Sequence, residues 1–147
     1  MKIHTIGFTK KTAEYFFKKI SDNKISILID TRLNNSSQLS GFAKAKDLEF
    51  FLREICKVQY IYRPELAPTK TILDDYKNKN ISWDNYAYEY LNLMEQRLIS
   101  KKLSKLEVDN GCLLCSEDKP HQCHRRLLAE YLKEQWNDEK TEINHIL

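Results

Sequence analysis

The chain has 147 residues, and 24 Lys and Arg against 21 Asp and Glu leave a formal charge of +3, within the ordinary range for one domain and too small by itself to mark a nucleic-acid binder. Apolar residues at 41% and charged residues at 31% exclude wholesale disorder, and three Gly and three Pro exclude collagen-like, low-complexity and turn-dense all-β chains. The longest apolar run, the four residues Cys112 to Cys115, falls far short of a membrane span, and Met1-Lys2-Ile3-His4-Thr5 lacks the apolar stretch of a signal peptide. The expectation is a cytosolic protein. Its four cysteines, Cys56, Cys112, Cys115 and Cys123, are then expected as free thiols, ligands or catalytic groups rather than a disulfide framework.

Ile3 to Phe8 is a short apolar run containing Gly7 and reads as a strand. From Thr9, a candidate N-cap, Ala13, Phe16, Phe17 and Ile20 fall at helical spacing. Ile25 to Ile29 is β-branched and nearly continuous, as in a strand covered on both faces, and ends in Asp30-Thr31-Arg32. Leu33 to Gly41 is a loop rich in Asn and Ser. Leu48, Phe51, Leu52 and Ile55 mark a second helix, Val58 to Tyr62 a third strand. Two prolines make 63–68 a loop, and 71–77 reads as a short helix. Ser82 caps a long helix with Trp83, Ala87, Tyr90, Leu91, Met94 and Leu98 in one stripe, read as core. Gly111 to Cys115 reads as a strand. Pro120 opens a helix with Leu127, Leu128, Tyr131 and Leu132 inward, and Ile143 to Leu147 is the last strand.

Alternating strands and helices imply an α/β fold: a single domain with a mostly parallel sheet and helices on both faces. Ligands of such sheets bind at the carboxyl ends of the strands, here Gly7 to Thr9, Asp30 to Arg32, Arg63 to Leu66 and Cys115 to Asp118. Arg32, Arg63, Arg125 and Arg126 lie at or just after those ends, which predicts a basic mouth.

Cys115, Glu117, Cys123 and His124 form the candidate catalytic set, with a thiol and carboxylates at a strand end and a thiol, imidazole and guanidinium in a helix's first turn. Free amides and the helix dipole at such a turn lower a thiol pKa and attract phosphate or carboxylate. Asp30, Arg32, Arg125, Gly7 and Thr9 are the candidate substrate-binding residues. The competing reading makes Cys115 a small buried hydrophobe, Cys123 to Arg125 a cap, and Asp30 and Arg32 a structural ion pair. Cys112-x-x-Cys115 with Cys123-His124 invites zinc. Residues three apart on a strand face opposite ways, so Cys112 and Cys115 cannot converge, and no metal or cofactor is expected. Cys56 reads as packing, and His4 and His145 as satisfied strand histidines. No Gly-x-x-x-x-Gly-Lys phosphate loop occurs. A phosphatase-like loop fails too, because its arginine would fall at His121.

Thr5-Ile6-Gly7, Ile29-Asp30-Thr31-Arg32, Gly41-Phe42, Tyr60 with Glu65-Leu66, Leu114-Cys115-Ser116-Glu117, Cys123-His124-Arg125 and His145-Ile146 resemble, in that order and over essentially the whole chain, the domain of unknown function 488 family. The Cys-x-Glu and Cys-His-Arg blocks, eight residues apart between cysteines, are the specific part. The resemblance implies a single α/β domain and a site at Cys115, Glu117, Cys123, His124 and Arg125 with Asp30 and Arg32. It supplies no reaction. Where many relatives read Thr-Ile-Gly-His-Ser this chain has Phe8-Thr9, so an acid-base role of that histidine is lost or moved. His4, four strand residues away, is about 13 Å distant. Leu66-Ala67-Pro68 replaces a Leu-Gly-Gly.

Two functions compete. One is a thiol-dependent enzyme acting on a small anionic, phosphate- or carboxylate-bearing substrate, with Cys115 or Cys123 as nucleophile or redox thiol, His124 as base or ion-pair partner and Glu117 as acid-base group. The other is a nucleotide or nucleic-acid binding module without turnover, stacking bases on Tyr60, Tyr62 or Trp83. No membrane partner is expected.

Overall fold

The computed structural model describes residues 1–36 and 40–147. These residues form, in chain order, β1 (Lys2–Gly7), α1 (Ala13–Asp22), β2 (Ile27–Asp30), α2 (Ala45–Phe51), β3 (Gln59–Tyr62), α3 (Lys70–Lys77), α4 (Trp83–Gln96), α5 (Ile99–Lys102), α6 (Lys105–Val108), β4 (Gly111–Cys115), α7 (His124–Gln135) and β5 (Glu142–Ile146). All strand pairings among them are parallel, in the order β3-β2-β4-β1-β5. The α/β fold expected from the alternation is the fold observed. None of the described helices is long and apolar enough to cross a membrane.

Connections that step toward the β3 edge run over one face, where Phe16, Phe17 and Ile20 of α1 and Leu48 of α2 pack on Leu28, Cys112 and Leu114. Those that step back run over the other, where Tyr86, Tyr90 and Met94 of α4 and Leu127, Leu128 and Leu132 of α7 pack on Ile3, Ile29 and Leu113. Right-handed crossovers require this division. Neighbouring β2 and β4 therefore send their following segments over opposite faces, and the sheet opens a crevice between their carboxyl ends.

Several local expectations are corrected. Thr12, not Thr9, caps α1, its Oγ1 accepting from the Tyr15 N–H at 3.2 Å. Thr9 instead sends its N–H to the Ser116 carbonyl, and Lys10 at φ 63° turns the chain before the helix. The second helix gives way to a π segment at Leu52–Cys56. The phase shift leaves Leu48 and Leu52 buried but turns Ile55 out to 57% exposure. Leu98 lies past the end of α4 in the left-handed region and is half exposed. Of the Leu33 to Gly41 loop, residues 37–39 lie outside the described residues. Pro120 does not open the last helix: its carbonyl accepts from the Cys123 N–H at 3.2 Å in a turn, and α7 starts at His124 with Cys123 as its N-cap. Of the amides of 121–124, that of Cys123 is thereby used within the turn, and the helix N-terminus lies at His124 rather than at Pro120.

Candidate functional site

A cavity of about 340 Å³ opens at the carboxyl ends of β2 and β4, in the size range of small-molecule sites. One wall is Arg32 with Cys115, Ser116, Glu117, Cys123 and His124; Pro68, Tyr76 and Tyr86 stand among the other lining residues. The proline loop is held from α4 and the residue after it. Tyr90 Oη donates to the Leu66 carbonyl at 2.7 Å, and Arg97 Nη1 donates to the carbonyls of Glu65 and Ala67, both at 2.8 Å.

Asp30 is fully buried and accepts from Arg32 Nε and Nη2 at 2.8 Å each, from the Arg32 N–H at 3.2 Å and from Tyr60 Oη at 2.6 Å. Four donors saturate a carboxylate, so Asp30 orients Arg32 rather than moving protons. The Arg32 guanidinium, 3% exposed, lies 5.3 Å from the centroid of the Phe8 ring, and its Nη1 has no partner among the described residues. Arg32 lines the cavity and keeps one buried donor unsatisfied, which a ligand oxygen could pair. Phe8 thus covers this arginine. Tyr60→Phe removes one bond to a buried charge and should cost about 1.5 to 3 kcal/mol, read from urea unfolding.

Arg125 is 0% exposed and does not line the cavity. It donates from Nη1 to the Glu117 carbonyl, to Cys115 Sγ at 3.2 Å and to Cys123 Sγ at 3.7 Å, and from Nη2 to the Asp118 carbonyl at 3.2 Å. It closes the 115–123 loop through main-chain carbonyls, and no carboxylate among the described residues pairs with it. Burial lowers its pKa to about 10. Gly7 permits the closure. A Cβ there would overlap the Glu117 carbonyl and come within 2.9 Å of Arg125 Nη1.

The Sγ atoms of Cys115 and Cys123 are in bonding contact, a pairing not expected from the sequence, while their Cα atoms stand 7.7 Å apart. Disulfides ordinarily span about 4.4–6.8 Å between Cα atoms. The separation here is wider than that range. His124 is buried against the Tyr90 ring, and its Nε2 lies 2.9 Å from the Thr31 carbonyl and 3.0 Å from Thr31 Oγ1. Burial lowers its pKa to about 4, so the imidazole is neutral at pH 7 and is not an ion-pair partner. With the Nε2–H directed at a carbonyl, Nδ1 keeps a lone pair. The two sulfurs and a His124 ring nitrogen lie within 4.8 Å of one another. Cys112 takes no part: strand parity puts it in the opposite core, where burial pushes its thiol up.

Other candidates fall elsewhere. Thr9 is exposed, its backbone tied to Ser116. Arg63 pairs with Glu65 and Glu107, and Arg126 lies 3.6 Å from Glu130, so the basic mouth reduces to Arg32 and Lys77. Tyr60 and Tyr62 turn their hydroxyls to Asp30 and the Leu33 carbonyl, and Trp83 stacks on Tyr86. The aromatic residues lining the cavity are Tyr76 and Tyr86, 4.9 Å apart. Tyr76 belonged to a recognised helix, but nothing in its spacing located that helix over the crevice.

No curated protein and no solved structure matches the chain. The model of the family described as Domain of unknown function DUF488 matches residues 12–132, which take in Asp30, Arg32, Cys115, Glu117, Cys123, His124 and Arg125 and leave out Gly7 and Thr9. With most of its length and both cysteine blocks inside that match, the chain belongs to the DUF488 family.

Proposed function

We propose that the protein is a thiol-dependent enzyme of the cytosol acting on a small substrate bearing a phosphate or carboxylate. The observation that carries this reading is that Arg32, whose Nη1 has no partner among the described residues, lines the same cavity as Cys115 and Cys123. An anion bonded to Arg32 would lie in the cavity that the thiol pair lines. Arg125 and the N-terminus of α7 favour the thiolate form of the pair, since a buried guanidinium needs a negative partner and finds sulfur within reach. One sulfur acts as nucleophile. Neutral His124, through Nδ1, and Glu117, which lines the cavity, are the groups available to take and return a proton.

The test is labelling by iodoacetamide at pH 7 in the presence of inorganic phosphate. Cys115 or Cys123 should react ahead of Cys56 and Cys112, and phosphate should slow the reaction. Arg32→Lys keeps the charge but loses the guanidinium fork, and should weaken phosphate binding about tenfold to a hundredfold by calorimetry. Labelling indifferent to phosphate, or phosphate affinity unchanged in Arg32→Lys, sinks the proposal.

Tyr76 and Tyr86 favour a second reading, in which the cavity holds a nucleotide, or the end of a single-stranded nucleic acid, without turnover. Protection of the thiols by a nucleoside phosphate that is recovered intact would support it over catalysis.

A further inference from the structure

We infer that the reduced Cys115–Cys123 pair and His124 form a site for one thiophilic divalent cation, Zn2+ being the type ion, which caps the pair reversibly. The inference rests on the reading of the two cysteines as a working thiol pair and names what regulates it.

The geometry fits such an ion. Tetrahedral zinc with bonds of about 2.0–2.3 Å needs its donors about 3.5–3.8 Å apart. The three donor atoms here already lie within 4.8 Å of one another, on three buried residues. A Cα separation of 7.7 Å leaves room for the two sulfurs to part around an ion by side-chain rotation. Each donor also has the supporting partner that metal ligands carry. His124 Nε2 is held 2.9 Å from the Thr31 carbonyl, a contact that fixes the ring and, with the proton on Nε2, leaves the Nδ1 lone pair for an ion, and Arg125 Nη1 donates to both sulfurs. All three residues line the cavity, so the fourth position falls on the cavity side, within reach of solvent or of an anion bonded to Arg32. The set excludes Cys112. The expectation of no metal was built on a foursome containing Cys112 and does not apply to this threesome.

On binding, the thiols release their protons to solvent and both sulfurs become ligands. An occupied pair can neither attack a substrate nor close on itself. Removing the ion restores it.

The experiment uses the full chain, reduced with a phosphine and titrated with Zn2+ alone. One zinc per chain should survive desalting. One equivalent should stop iodoacetamide labelling of Cys115 and Cys123, and a chelator should restore it. Cys112→Ala should bind as wild type does, whereas Cys123→Ser and His124→Ala should lose more than about a hundredfold in affinity, beyond the loss from removing a mere supporting group. Co2+ on the wild-type chain gives a reading that no variant's folding can spoil: thiolate-to-cobalt charge transfer of two-thiolate intensity is expected. No retained zinc, binding that survives Cys123→Ser in a folded variant, or a cobalt spectrum without thiolate bands overturns the inference. Phosphate protection of the thiols without zinc binding removes the cation site and leaves the proposed function. Zinc binding without phosphate protection does the reverse.

Discussion

Arg125→Ala should destabilise the protein by about 3 to 5 kcal/mol, lowering the melting temperature by about 10 °C or more. The guanidinium is fully buried, and its removal strips the Glu117 and Asp118 carbonyls and both cysteine sulfurs of a donor while leaving a cavity beneath the loop. Arg125→Lys should recover little, because one ammonium cannot reach four acceptors spread over two planar nitrogens. Thermal and urea unfolding check the size. If Arg125 instead contacted substrate from the cavity, the variant would melt as wild type does and lose phosphate affinity.

Gly7→Ala should cost about 3 kcal/mol or more, at the upper end of overpacking effects. Backbone freedom is not the reason, since none of the described glycines has a positive φ. The added methyl would overlap the Glu117 main-chain carbonyl and crowd Arg125 Nη1, and neither can yield without opening the 115–123 loop. The loss should therefore appear both in urea unfolding and as faster alkylation of Cys115 and Cys123. A variant within about 1 kcal/mol of wild type by unfolding would show that the loop accommodates the methyl and that the closure is not tight.

The two variants bear on one contact seen from both sides, and neither side is visible in the chain order. Gly7 and Thr9 stood out in the sequence as strand-end residues fit for a substrate. In the fold, Gly7 is the space into which the Glu117 carbonyl fits and Thr9 a backbone donor to Ser116. Asp30 and Arg32 stood out in the sequence as substrate-binding residues with an ion pair as the competing reading, and in the fold they pair, with Arg32 lining the cavity. That Tyr60 completes the carboxylate's donors, and so frees Arg32 Nη1 for a ligand, depends on the β2–β3 register that sets Leu28 beside Tyr60.

Local sequence determined what nearest neighbours along the chain can settle. A β-branched run made β2 a strand and a short continuous apolar run made β4 one, helical spacing made α1, α4 and α7 helices, and Ser82 and Thr69 capped theirs by side-chain bonds to backbone amides. Parity along β4 sent Cys112 and Cys115 to opposite faces, since successive side chains of a strand alternate. Tertiary structure decided the remainder. The four-residue α5 and α6 are too short to hold by themselves and exist because Ile99, Leu103 and Val108 find the core, although Ser104 and Glu107 already spelled a capping box. Pro120 could have begun a helix on local preference alone. The turn that displaced it closes as Arg125 draws the Glu117 and Asp118 carbonyls inward, and the same burial brings Cys123 and His124 to Cys115. Hydrogen bonds and charges buried together act over distances in space that spacing along a chain does not encode.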